Sequence, residues 1–118
     1  SQKENDLPKI IADVLEHIAV NYSSDLSLQN TAEKFYLNSS YLSRLFKKHT
    51  GFTFCNYLMQ YRIKEANKLL TQTGKQVTEI AFECGFNSSN DFCKCYKKIT
   101  GNSPLTYRKH FLSRDNSV

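Results

Sequence analysis

Two stretches of the chain share one division of apolar and polar positions. In LNSSYLSRLFKKHTG, residues 37–51, a helix turning about 100° per residue gathers Leu42, Leu45, Phe46 and His49 within an arc of about 100°. Ser40, Ser43, Arg44, Lys47 and Lys48 fall on the far side, within an arc of about 140° by the same geometry. In FNSSNDFCKCYKKITG, residues 86–101, the inward arc holds Phe92, Cys95, Tyr96 and Ile99. The outward one holds Asn90, Cys93, Lys94, Lys97 and Lys98. Each stretch is therefore predicted to be a short helix with a complete apolar side and an exposed basic side. Asn38 and Asn87 suit the N-cap positions, and Gly51 and Gly101 the left-handed stops.

The periodicity elsewhere predicts five more helices. Residues 8–22 space Ile10, Ile11, Val14, Leu15, Ile18, Ala19 and Tyr22 at one, three and four, with Pro8 suited to a first turn. Ser27 caps a helix through Phe35, with Leu28, Thr31, Ala32 and Phe35 inward. Small Ala32 lets this helix approach the basic one closely, and two helices joined by so short a turn make a helix-turn-helix. Residues 53–73 form the longest pattern, with Tyr57, Leu58, Tyr61, Ile63, Ala66, Leu69 and Leu70 supplying apolar contacts. Arg62, Lys64, Glu65 and Lys68 are its expected solvated face. Residues 76–84 lead the second copy, with Val77, Ile80 and Ala81 inward, and Ser103-Pro104 opens a last helix reaching Leu112.

The second unit repeats the first. Ala32 and Ala81 are 49 apart, whereas Phe46-Lys47-Lys48 and Tyr96-Lys97-Lys98, like Gly51 and Gly101, are 50 apart. One residue is therefore inserted near the start of the second basic helix. The expected architecture is all-α, with about seven helices forming two helix-turn-helix subdomains, residues 8–52 and 75–112, joined by a long linker helix in residues 53–74. Residues 1–7 read as residual linker and residues 113–118 as a frayed tail.

Charge adds direction to this pattern. Residues 1–38 carry a net −3 and residues 39–118 a net +8, so the chain's +5 is concentrated where both basic helices lie. A basic face that recurs points to a polyanion partner. The linker helix, about 30 Å long at 1.5 Å per residue, approaches the roughly 34 Å rise of one DNA turn. Two such helices could then enter successive major grooves.

The composition excludes several alternatives. The chain is too short to carry a large catalytic domain as well, and neither a run of eighteen apolar residues nor a signal peptide occurs in its 118 residues. A soluble cytoplasmic protein without membrane association is expected, cut from a longer chain. Cys55, Cys84, Cys93 and Cys95 form no C-x-x-C pair, and His17, His49 and His110 are scattered, so no metal site is expected. Cys55, Cys84 and Cys95 stand where the other copy has Leu105, Phe35 and Leu45, which makes them small core groups in a reducing compartment. Cys93 falls on the exposed face. No nucleophile–base pairing, Gly-rich phosphate loop or H-E-x-x-H motif is present, so neither catalysis nor a cofactor is expected.

From about Ile10 to Phe111 the chain resembles the DNA-binding domain of AraC/XylS-type bacterial transcription regulators. SLQNTAEKFYLNSSYLSRLFKKHTG, YRIKEANKLL, VTEIAFECGF and FCKCYKKITGNSPLTYRK carry the resemblance. The first repeat is similar to the version at the C-terminal end of some two-component response regulators. The resemblance implies seven helices, two helix-turn-helix subdomains and binding to promoter DNA, with both reading helices in adjacent major grooves. By position it implies base contacts from Ser40, Ser43 and Arg44 in the first copy, and from Ser89, Asn90, Asp91, Cys93 and Lys94 in the second. It gives Lys47, Lys48, Lys97 and Lys98 to phosphates.

The chain departs from the family pattern at Ser40, which is often larger, at Lys94, where Arg is frequent, and at Cys93 and Cys95. Asp91 would be repelled by phosphate, although a carboxylate can accept from cytosine N4. A single copy is expected to cover an asymmetric site of roughly two helical turns. RNA polymerase is a second expected partner, and an interaction module docking its basic helices on such an acidic protein is the alternative reading.

Overall fold

The computed structural model describes residues 8–116, and every element in them is helical. The seven helices are α1 (Lys9–Asn21), α2 (Leu28–Lys34), α3 (Ser39–Thr50), α4 (Phe54–Gln72), α5 (Val77–Glu83), α6 (Ser89–Thr100) and α7 (Pro104–Asn116). They form two compact units, and the division between Leu58 and Met59 falls within α4. Among the described residues that continuous helix is the only element belonging to both.

In the first unit α1 buries Ile11, Val14 and Ile18, one helical stripe, and α2 buries Thr31 and Ala32. Both helices pack on α3, whose Leu42 and Phe46 are buried. Phe46 meets the rings of Phe54 and Tyr57 edge-on, with centroids 5.6 and 5.5 Å away. These contacts tie α3 to the first turns of α4. A reciprocal capping box holds the start of α2: the Ser27 hydroxyl accepts from Asn30 N, and the Asn30 side chain accepts from Ser27 N.

The second unit is built around one cluster of Ile63, Ala66, Leu70, Ile80, Ala81, Cys84, Phe86, Phe92 and Tyr96. The Tyr96 hydroxyl donates to Asn67 Oδ1 at 2.6 Å, fixing α6 to α4. Burial and then the neighbouring Tyr107 push the pKa of that phenol up to about 12, so it remains a donor. Arg108 of α7 closes the far end of α4. Its Nε donates to Leu70 O at 2.9 Å and its Nη2 to Thr73 O at 3.4 Å, so a cation sits on the carbonyls at that helix's C-terminus.

Several expectations change here. Cys55 is exposed, as is its counterpart Leu105: the copies were matched correctly, but Phe54 and Pro104, one residue earlier, take the buried position in each. Cys84 is buried, with its thiol pushed up to about 11 by desolvation, and Cys95 packs half-buried against the core. Ile99 is 40% exposed because it lies in the last turn of α6, beyond the cluster that ends at Tyr96. Arg62, assigned to the solvated face of α4, is only 6% exposed. Its guanidinium lies over the Phe86 ring, 5.8 Å from the centroid, because the chain leading into α6 covers that side of the helix. The last helix runs on to Asn116, past Leu112. Residues 1–7 and 117–118 lie outside the described residues.

The inserted residue can now be located. Leu37 N donates to Ala32 O at 2.8 Å and Phe86 N to Ala81 O at 3.0 Å, equivalent bonds 49 residues apart. The N-caps are Asn38 and Ser88, 50 apart. Asn87, expected to be the second cap, is therefore the extra residue in the turn, and Ser88 caps in its place.

Thr31 Oγ1 is buried and has no hydrogen-bond partner among the described residues. The equivalent position in the second unit is Ile80, fully buried. Since an unsatisfied buried hydroxyl costs free energy that an isosteric methyl does not, Thr31→Val should stabilise the protein by about 1 kcal/mol. Thermal unfolding checks this, and a lower melting temperature in the variant contradicts it.

His17 meets Phe35 edge-on at 5.6 Å, and Asn21 Nδ2 lies 3.1 Å from its Nδ1. Burial and then Lys34 lower its pKa from the usual 6.5. The unfolded chain therefore takes up the proton more readily, and the stability present above about pH 6.5 is lost as pH falls below it. Melting should be lower at pH 5.5 than at pH 7.5, and His17→Gln should narrow the gap. An unchanged gap in the variant means that other groups set it.

Candidate nucleic-acid interface

The two basic helices are built alike down to their ends. Asn38 Oδ1 accepts from Ser40 N at 2.9 Å and from Tyr41 N at 3.2 Å, satisfying two of the free amides that open α3. The Ser88 hydroxyl accepts from Asp91 N at 3.0 Å and opens α6. At the other end Gly51 (φ 82°) and Gly101 (φ 88°) adopt the left-handed conformation, their N–H groups donating to Lys47 O and Lys97 O. Thr50 and Thr100 each donate back to the carbonyl four residues earlier, at 2.8 Å. From caps to stops, the helices correspond at an offset of 50 residues.

Each helix buries two large residues in its own unit, Leu42 with Phe46 and Phe92 with Tyr96. The remaining positions face outward or lie at the edge of that contact. On α3, Ser40, Arg44, Lys47 and Lys48 are exposed and Ser43 is half-buried. On α6, Asn90, Asp91, Lys94, Lys97 and Lys98 are exposed, whereas Ser89 and Cys93 are half-buried. Cys93 is thus not on the open face but against the flank of the second core. Position 93 corresponds to Ser43, so both copies put a small residue at that edge. Tyr41, exposed on α3, is a surface residue that the stripe alone leaves without a role.

The electrostatics of the faces differ. Between Ser39 and Thr50 there is no carboxylate, while α6 has Asp91 in its first turn, where the helix dipole favours it. Asp91 also borders an open cavity of about 240 Å³ with Arg62, Phe86, Asn87 and Cys95. Lys9–Asp13, Lys68–Glu65 and Lys75–Glu83 are ion pairs among the described residues. None uses Arg44, Lys47, Lys48, Lys94, Lys97 or Lys98. Such cations keep their hydration in the free protein and remain available to a polyanion. Among the described residues no three His, Cys, Asp or Glu side chains gather as a metal would need, and no helix is long and apolar enough to cross a membrane.

A family profile described as a helix-turn-helix domain matches residues 31–110, covering both basic helices and the helix between them. The chain belongs to the AraC-type helix-turn-helix family of transcriptional regulators. The helix-turn-helix transcriptional regulator YijO of Escherichia coli K12 is 37% identical over 101 residues, 86% of this chain and 36% of that protein. The melibiose operon regulatory protein of the same strain is 34% identical over 99 residues, 84% of this chain and 33% of that protein. The transcriptional activator RhaS of Pectobacterium carotovorum is 36% identical over 95 residues, 80% of this chain and 34% of that protein. The chain thus spans about a third of the length of these relatives.

Solved structures agree. The C-terminal domain of AraT, a response regulator from Geobacillus stearothermophilus, superposes with a TM-score of 0.87 at 32% identity, over 88% of this chain and 87% of that one. The DNA-binding domain of AdpA, solved with a target DNA, shares the fold with a TM-score of 0.86 at 24% identity, over 92% of this chain and 97% of that one. As a member of the AraC-type family, the chain is a DNA-binding module of transcription regulation.

Proposed function

We propose that this chain is the sequence-specific DNA-binding part of a bacterial transcription regulator, with α3 and α6 as recognition helices in successive major grooves. The observation that carries this reading is the pair of equivalently capped helices, each presenting cations that no carboxylate among the described residues holds in an ion pair. In this reading Arg44 anchors the first half-site through the two donors a guanidinium can direct at guanine, beside Ser40 and Ser43. Asn90 and Lys94 lead the second, with Asp91 accepting from a cytosine amine. Ser89 and Cys93, half-buried, touch base edges only at the margin.

Lys47, Lys48, Lys97 and Lys98 neutralise phosphates. Four such contacts give a salt slope of about −3.6, so that affinity falls roughly 150-fold between 50 and 200 mM salt. One copy of the chain covers an asymmetric site in the bacterial cytoplasm, and the whole protein also contacts RNA polymerase. The activator relative RhaS supports that second partner.

Selection of bound duplexes from a random pool tests the reading. An asymmetric site of about two helical turns should be enriched. No enrichment, or binding indifferent to salt, would rule it out.

Arg44→Ala should cost roughly 1–3 kcal/mol on the selected site and relax base preference at one position. An unchanged sequence profile would remove Arg44 from the base contacts.

Lys47→Ala and Lys97→Ala should each weaken selected and random duplexes alike and reduce the salt slope by about one. A loss confined to discrimination would mean that these lysines read bases instead.

A further inference from the structure

The turns that lead into α3 and α6 have the same backbone and opposite choices of residue. Tyr36 N donates to Glu33 O and Gly85 N to Phe82 O, both at 3.1 Å, and the next residue in each turn closes onto Ala32 O or Ala81 O. Tyr36 and Gly85 both have positive φ, 58° and 97°. Glycine adopts that conformation without steric cost, whereas a tyrosine there sets its Cβ against the following carbonyl. Within its own fold Tyr36 gains nothing in return. It is 96% exposed, and among the described residues its side chain makes no hydrogen bond or ring contact.

A strained residue that contributes no contact to its own domain is explained when a bound partner supplies one. Tyr36 stands two residues before Asn38, the cap of α3, and Lys34 and Glu33 beside it are also exposed. A phenol offers one hydroxyl donor on a rigid ring and few rotamers to freeze, which suits an oxygen of the DNA backbone beside a groove. We infer that Tyr36 is a DNA contact, its hydroxyl donating to a backbone phosphate that flanks the bases read by α3. The contact is independent of sequence and rests on the assignment of α3 as a recognition helix.

Tyr36→Gly and Tyr36→Phe, compared with wild type by thermal unfolding and by fluorescence anisotropy on the selected and a random duplex, test this. Tyr36→Gly should melt about 4 °C or more above wild type as the strain is released. It should bind both duplexes at least about tenfold more weakly, the loss expected for one hydrogen bond to a charged group. Tyr36→Phe should show the same loss in binding with the wild-type melting temperature. Tyr36→Gly binding as tightly as wild type, or melting no higher, overturns the inference. So does Tyr36→Phe binding normally, since the ring and not the hydroxyl would then matter. If both variants bind DNA normally but fail to co-purify with RNA polymerase that wild type retains, the contact is to protein and the inference fails. Wild type that binds neither duplex instead refutes the assignment of α3.

Discussion

A twelve-residue helix rich in unpaired cations is not stable by itself in water, because nucleation and like-charge repulsion both oppose it. The two basic faces therefore depend on an anchoring aromatic at the same place in each helix, Phe46 in α3 and Tyr96 in α6, equivalent residues that are both fully buried. Each reaches α4 within its own unit, Phe46 through the rings of Phe54 and Tyr57 and Tyr96 through its hydroxyl to Asn67. The two solutions differ in chemistry. The first relies on apolar contact alone, whereas the second adds a directed hydrogen bond whose donor, kept protonated by burial, fixes the rotation of α6 about its axis.

This anchoring frees the outer faces to be polar. Leu42, Phe46, Phe92 and Tyr96 take the burial, so Arg44, Lys47, Lys94 and Lys97 need no partner in the protein. The caps do similar work at the ends, where backbone amides that would compete for solvent or ligand are already satisfied by Asn38 and Ser88. What distinguishes the copies is charge. α3 carries no carboxylate, while α6 begins with Asp91 beside a cavity walled partly by Arg62, so the second helix presents a more mixed potential.

Most of the fold was legible because its signals are local. Periodic apolar positions, the Ser27 and Asn38 caps and the glycine stops each depend on a few neighbouring residues, and the repeat doubled the apolar pattern and the stops of the basic helices. The misses came from packing between elements. Arg62 looked solvated because its helix has a polar stripe, yet Phe86, far along the chain, covers it. Cys55 looked buried because it matched a leucine, and only the structure shows that the leucine is itself exposed. Asn87 and Ser88 are both acceptable caps, and the hydrogen bond from Asp91 N to the Ser88 hydroxyl decides between them. The backbone conformation of Tyr36 was not legible, although Gly85 at the matching position was a usable clue.

The Arg108 clamp has a kinetic meaning. The carbonyls it holds, on Leu70 and Thr73, are separated from it by 38 and 35 residues, whereas the contacts that close the first unit lie upstream of Met59. On a chain emerging from the ribosome the first unit can complete itself early, since all of its partners have then been made. The end of α4 stays uncapped until almost the last helix has been synthesised. By chain order the second unit is therefore completed later than the first, and a nascent chain can hold the first basic helix in its finished unit while the second unit still lacks its last helix.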